Sequence, residues 1–77
     1  SPFYLCHLFK ERTGTTLMDY VTERRIEKAK LLLSTSNEKV ESIAMKVGYN
    51  NANSFSRMFK KRTGISPSEY RLSELKY

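Results

Sequence analysis

Cysteine, glycine, histidine and long apolar runs are all scarce in this 77-residue chain. The one cysteine, Cys6, permits no internal disulfide and fits a reducing compartment, so a cytoplasmic location is expected. No apolar stretch comes near the ~20 residues of a membrane span. The first twenty residues lack the basic start and apolar stretch of a secretory signal, and no membrane partner is expected. The three glycines, at 14, 48 and 64, are too scattered to cradle a phosphate. His7, the single histidine, neighbours Cys6 on one helix, so the two point to different faces and make no nucleophile–base pair. No His, Cys and carboxylate cluster has metal-ligand spacing. These absences argue against an enzyme and call for no cofactor and no metal.

Acidic residues are also outnumbered: fourteen Lys and Arg face eight Asp and Glu, for a net charge of +6. So basic a small chain points to an acidic partner, with nucleic acid the commonest, although a merely solvated basic surface has the same composition. The chain begins with Ser1 rather than Met and reads as an excised piece of a longer protein.

The sequence repeats itself at an offset of fifty. Phe9, Lys10, Arg12, Thr13, Gly14 and Tyr20 fall on Phe59, Lys60, Arg62, Thr63, Gly64 and Tyr70. Leu5 meets Phe55, Leu8 meets Met58 and Asp19 meets Glu69. In each copy a helix with a stripe of large apolar residues stops at a glycine. Ser1-Pro2 opens the first helix, Leu5, Leu8 and Phe9 form its stripe, and Gly14 ends it. Asn51 caps the second, Phe55, Met58 and Phe59 form its stripe, and Gly64 ends it. Ser66-Pro67-Ser68-Glu69 then has the form of a capping box and starts a further helix. Tyr20 and Tyr70 are expected to share a packing role.

The second copy has a helical partner upstream. Val40, Ile43, Ala44 and Val47 share one face, and Gly48-Tyr49-Asn50-Asn51 follows as a turn, giving helix, short turn, helix. Ala44 marks the close-packing point, and Tyr49 is expected to pack with its hydroxyl bonded to backbone. Thr16 caps a long helix between the copies. Leu17, Tyr20, Val21, Ala29, Leu32 and Leu33 are expected to bury, with Glu23, Arg24, Arg25, Glu27, Lys28 and Lys30 facing water or DNA. At ~1.5 Å per residue its length approaches the ~34 Å between successive major-groove faces on one side of a duplex. The expected fold class is all-α: two helix-turn-helix units of homeodomain-like, three-helix type joined by a long connecting helix. Residues 1–16 are the remainder of the first unit, 17–34 the connecting helix and 35–77 the second unit. The first unit's leading helix falls before residue 1, so that end is expected to be less stable or to take apolar cover from another molecule.

Opposite the stripe of the second reading helix stand Asn53, Ser56, Arg57 and Lys60. Arg57 suits guanine and Asn53 adenine by the groove's donor and acceptor pattern. Lys61 and Arg62 suit phosphate at the helix end. In the first copy the equivalent positions hold Phe3, Cys6, His7 and Lys10. Phe3 or Cys6 either meets a thymine methyl or packs inward, and His7 either donates to DNA or is a surface residue. Arg24, Arg25 and Lys46 are further phosphate candidates, with plain surface charge as the alternative.

Three segments carry a family resemblance. They are Arg25-Ile26-Glu27-Lys28-Ala29-Lys30-Leu31-Leu32-Leu33, Ile43-Ala44-Met45-Lys46-Val47-Gly48-Tyr49, and Phe55-Ser56-Arg57-Met58-Phe59-Lys60-Lys61-Arg62-Thr63-Gly64-Ile65-Ser66-Pro67-Ser68-Glu69-Tyr70-Arg71. The sequence closely resembles the AraC/XylS family of bacterial transcription regulators over nearly its whole length. The resemblance implies two helix-turn-helix units placing one helix each in adjacent major grooves of double-stranded DNA. It also implies activation by contact with RNA polymerase, and an upstream sensor or dimerisation domain that is not in this chain. It assigns base reading to the same eight positions. Cys6 and His7 depart from the small polar residue and Arg of many relatives, and Asn51-Ala52 from a common Asp-Pro cap. Two other functions share these features: a helical protein-interaction module, and a nonspecific nucleic-acid binder.

Overall fold

The computed structural model describes Leu8 and residues 10–75, and among these the fold is all helix. Residues 10–13 are helical and precede four complete helices. These are α1 (Leu17–Thr35), α2 (Val40–Lys46), α3 (Ala52–Thr63) and α4 (Pro67–Glu74). The expected opening at Ser1-Pro2 and the packing of Leu5 and Phe9 lie outside the described residues.

Each start and stop has a local cause. Thr16 caps α1 by accepting from the Asp19 N–H at 3.0 Å, and Asn51 caps α3 by accepting from the Ser54 N–H at 2.8 Å. Each bond satisfies one of the orphan donors that a helix start leaves. At α4 both halves of the capping box form. The Ser66 hydroxyl accepts from the Glu69 N–H at 3.1 Å, and Glu69 Oε1 accepts from the Ser66 N–H at 2.9 Å. The end of α2 is a Schellman turn. Gly48, at φ 104°, donates to the Met45 carbonyl, and Tyr49 donates to that of Ala44. That left-handed residue reverses the chain within a few residues, so α3 can fold back across α2.

The core comprises Ile26, Ala29 and Leu33 of α1, Ile43 and Ala44 of α2 with Val47 just beyond it, and Phe55 and Phe59 of α3. Ala29 and Ala44 are fully buried; their small side chains let the helix axes approach. Tyr49, Phe55, Phe59 and Tyr70 form a chain of aromatic rings with successive centroids 5.6, 5.7 and 5.6 Å apart. Tilted and edge-on pairs at such distances add to what burial alone contributes.

The buried face of α1 differs from the expected one. Ile26 is 3% exposed and belongs to the core, whereas Tyr20 is 44% exposed and Leu17 and Val21 are only half-buried. Ala29 and Leu33 bury as expected, and Leu32 packs against the core from its edge. Positions 26, 29 and 33 form one stripe at helical spacing, and this stripe meets α2, α3 and α4. Tyr70 packs edge-on against Phe59. Phe9, the counterpart of Phe59, lies outside the described residues, and the packing role expected of Tyr20 by symmetry lies there with it. Tyr49 also differs in detail. Ring contacts with Phe55 and Arg25 hold it, and among the described residues no backbone group pairs with its hydroxyl.

Candidate nucleic-acid interface

Phe55 and Phe59 anchor α3 with its back to the core, and this alone decides which residues turn outward. Asn53, Arg57 and Lys60 are exposed, and Ser56 is half-buried beside them. Spacings of three and four place all four on one face. No carboxylate lies on α3, and its last turn carries Lys60, Lys61 and Arg62, where the helix dipole favours positive charge. The outward face therefore carries amide, hydroxyl, guanidinium and ammonium groups, a set of hydrogen-bond donors backed by net positive charge.

The outlying basic residues fall into two groups. Arg24, Arg25 and Lys46 line one open groove of about 610 Å³ between α1 and α2. Lys28 joins them there, though its spacing in the sequence marks it only as part of a wet face. Two of these four have intramolecular partners. The Arg25 guanidinium carbon stands 5.4 Å from the centre of the Tyr49 ring, a cation–π contact that props the turn before α3. Lys46 pairs with Glu38. Arg24 is exposed.

Lys61 is exposed at the end of α3. Arg62 is engaged: its Nη2 donates to Asp19 Oδ1 at 3.1 Å, across 43 residues of sequence. Hydrogen bonding with Thr16, then with Arg62, holds the Asp19 carboxyl below its usual range. The Glu69 carboxyl is likewise lowered, chiefly by the backbone N–H of Ser66. Burial, then Glu74, raises the Tyr70 phenol.

In the first copy Lys10 is exposed on the helical segment before Gly14, while Phe3, Cys6 and His7 lie outside the described residues. Among the described residues no group of His, Cys, Asp and Glu is placed to hold a metal ion. Nor, among the described residues, is any helix long and apolar enough to cross a membrane.

A helix-turn-helix domain family model matches residues 1–73. The arabinose operon regulatory protein of Escherichia coli (strain K12) is 44% identical over 71 residues, which cover 92% of this chain and 24% of that protein. The chain belongs to the AraC-type helix-turn-helix family. The raffinose operon transcriptional regulatory protein RafR of Pediococcus pentosaceus is 49% identical over 70 residues, covering 91% of this chain and 25% of its own length. This AraC-type chain thus spans about a quarter of the length of these curated relatives.

Solved structures agree. The C-terminal domain of AraT, a response regulator from Geobacillus stearothermophilus, superimposes with a TM-score of 0.92 at 38% identity, covering 95% of this chain and 60% of that one. The DNA-binding domain of the global transcriptional factor AdpA, solved in complex with a target DNA, superimposes with a TM-score of 0.88 at 26% identity, covering 95% and 66%. Within this family's fold α2, the turn at Gly48 and α3 run as helix, short turn, helix, with α1 packed against both.

Two side chains act on partners far away in the sequence. Arg71 Nε donates to the Leu33 carbonyl at 3.1 Å and its Nη2 to the Ser36 carbonyl at 3.2 Å, closing the end of α1. Asp19, noted only as the counterpart of Glu69, is the acceptor for Arg62. No local pattern marks Arg71, whose acceptors lie 38 and 35 residues away. For Asp19 the signal is the change from Glu to Asp within an otherwise well-kept repeat.

Proposed function

We propose that this chain is the sequence-specific DNA-binding domain of a bacterial transcription regulator, with α3 lying in the major groove. The observation that carries this reading is the outward face of α3, where Asn53, Ser56, Arg57 and Lys60 stand together on a helix without carboxylates, anchored from behind by Phe55 and Phe59. Arg57 is assigned to the O6 and N7 acceptors of guanine and Asn53 to the N7 and N6 of adenine. Ser56 and Lys60 complete the reading set. Lys61 contacts phosphate, and Arg24, Arg25 and Lys46 give the protein a basic margin toward the backbone.

Lys10, with Phe3, Cys6 and His7, is assigned to a second reading helix one groove away. The AdpA domain bound to its target DNA supports this reading, because its fold is so close to that of this chain. α1, 19 residues long, spans ~28 Å at ~1.5 Å per residue, close to the ~34 Å between successive groove faces. For the whole regulator, the family resemblance supports RNA polymerase as a partner, an upstream sensor or dimerisation domain, and a cytoplasmic site of action.

Selection of bound duplexes from a randomised DNA pool tests the reading. Two short motifs about one helical turn apart are expected, and a single motif would confine reading to α3. Enrichment of no sequence would overturn specific recognition and favour a protein-interaction module or a nonspecific binder.

A further inference from the structure

The two repeats match bond for bond through the end of one helix and the start of the next. Gly14 and Gly64 take φ of 78° and 90°, and each donates its N–H to the lysine carbonyl four residues back at 2.8 Å. The hydroxyls of Thr13 and Thr63 accept from the N–H groups of Thr15 and Ile65 at 3.3 Å. Thr16 and Ser66 then cap the following helices through Asp19 and Glu69.

The correspondence breaks at the two carboxylates. Glu69 turns back onto the Ser66 N–H and closes its capping box. Asp19 is one methylene shorter, and its Oδ1 accepts from Arg62 of the other repeat. This bond joins the first turn of α1 to the last turn of α3. Each charge already sits at the helix end whose dipole favours it, so the pair links two ends of opposite sign. Only residues 14–16 separate α1 from the helical residues 10–13 of the first repeat. The pair therefore ties the second reading helix to the root of the first.

Resting on the DNA reading proposed above, we infer that Asp19 is a positioning residue: by holding Arg62 it sets the offset between the two reading helices, and with it the separation of DNA motifs the protein accepts. Arg62 then serves as a strut, and Lys61 is the phosphate contact at that helix end.

The test compares the parent chain with Asp19→Asn, Arg62→Gln and the double variant. Three duplexes are used: one motif alone, two motifs at the selected separation, and two motifs displaced by one base pair. The parent is expected to prefer the selected separation. Each single variant should lose on the order of threefold of that preference, the scale of a partly exposed ion pair. The double variant should lose no more than either single, and Asp19→Asn should not weaken binding to the lone motif. Two results would overturn the inference: a parent indifferent to separation, or a full preference in Asp19→Asn while Arg62→Gln weakens even the lone-motif complex. Failure of the parent to bind the lone motif would instead count against DNA reading by α3.

Discussion

The guanidinium of Arg71 and the carbonyl of Leu33 close the C-terminal end of α1, with the Arg71 Nε donating at 3.1 Å. Its Nη2 also reaches the Ser36 carbonyl. Carbonyls at a helix end lack intrahelical donors, and a cation there also suits the dipole. Arg71→Ala leaves these part-buried acceptors short of a charged donor, at a cost of about 1–2 kcal/mol. At roughly 4–8 °C per kcal/mol for a domain this size, the melting temperature should fall accordingly. The salt dependence of DNA binding should stay at the parent's value, since Arg71 is occupied at the end of α1. Thermal melts with a salt titration check both.

Gly48 and Gly64 both hold left-handed backbone but differ in their surroundings. A Cβ at Gly64 meets open space, whereas one at Gly48 would stand 3.0 Å from Arg25 Nε. Gly64→Ala should cost about 1–2 kcal/mol from backbone strain alone. Gly48→Ala should cost more, because the Arg25 guanidinium over Tyr49 must also give by a few tenths of an ångström. Urea unfolding of the two variants decides the order, and equal losses would remove Arg25 from the account.

These sites show what was legible in the sequence. Thr16, Asn51 and Ser66 as caps, Gly14 and Gly64 as stops, and the Phe55–Phe59 stripe all act within a few residues of themselves, which makes each legible in the sequence. Ile26 is hard to pick out in the sequence because apolar residues lie on more than one side of α1, with Met18, Tyr20 and Leu31 exposed; the inner face is chosen by α2, α3 and α4. Arg71 and Asp19 are illegible in the sequence for a related reason. The partners of a surface charge are set by tertiary proximity over 35 to 43 residues, which periodicity does not register. The outward row on α3 was legible because burial of Phe55 and Phe59 fixes it by helical geometry.

Stability should fall in acid for a definable reason. The folded-state pKa of Glu69 lies below its ordinary 4.5 and that of Asp19 below 3.8. A carboxylate with a depressed folded pKa contributes stability that is complete above the ordinary value and is lost as pH falls through the folded one. The melting temperature should therefore hold steady down to about pH 5 and drop below it. Glu69→Gln should lower the melting temperature at neutral pH, with the gap to the parent closing in acid. Melting curves that stay parallel across this range would remove Glu69 from the acid response.

Lys61 and Arg57 should fail in different ways. Lys61→Ala should weaken binding to all duplexes alike and reduce the slope of log affinity against log salt by about 1. A sequence-dependent loss would move Lys61 from phosphate contact to base reading.

The most direct test of the account is the affinity of the parent and Arg57→Ala for the selected duplex and for duplexes substituted at each position in turn. The account predicts that Arg57→Ala loses about 1–3 kcal/mol on the selected duplex and becomes indifferent to the base at one position, while the other positions keep their preference. Unchanged affinity together with an unchanged pattern of base preference would contradict it, and α3 would not be the helix that reads DNA through this face.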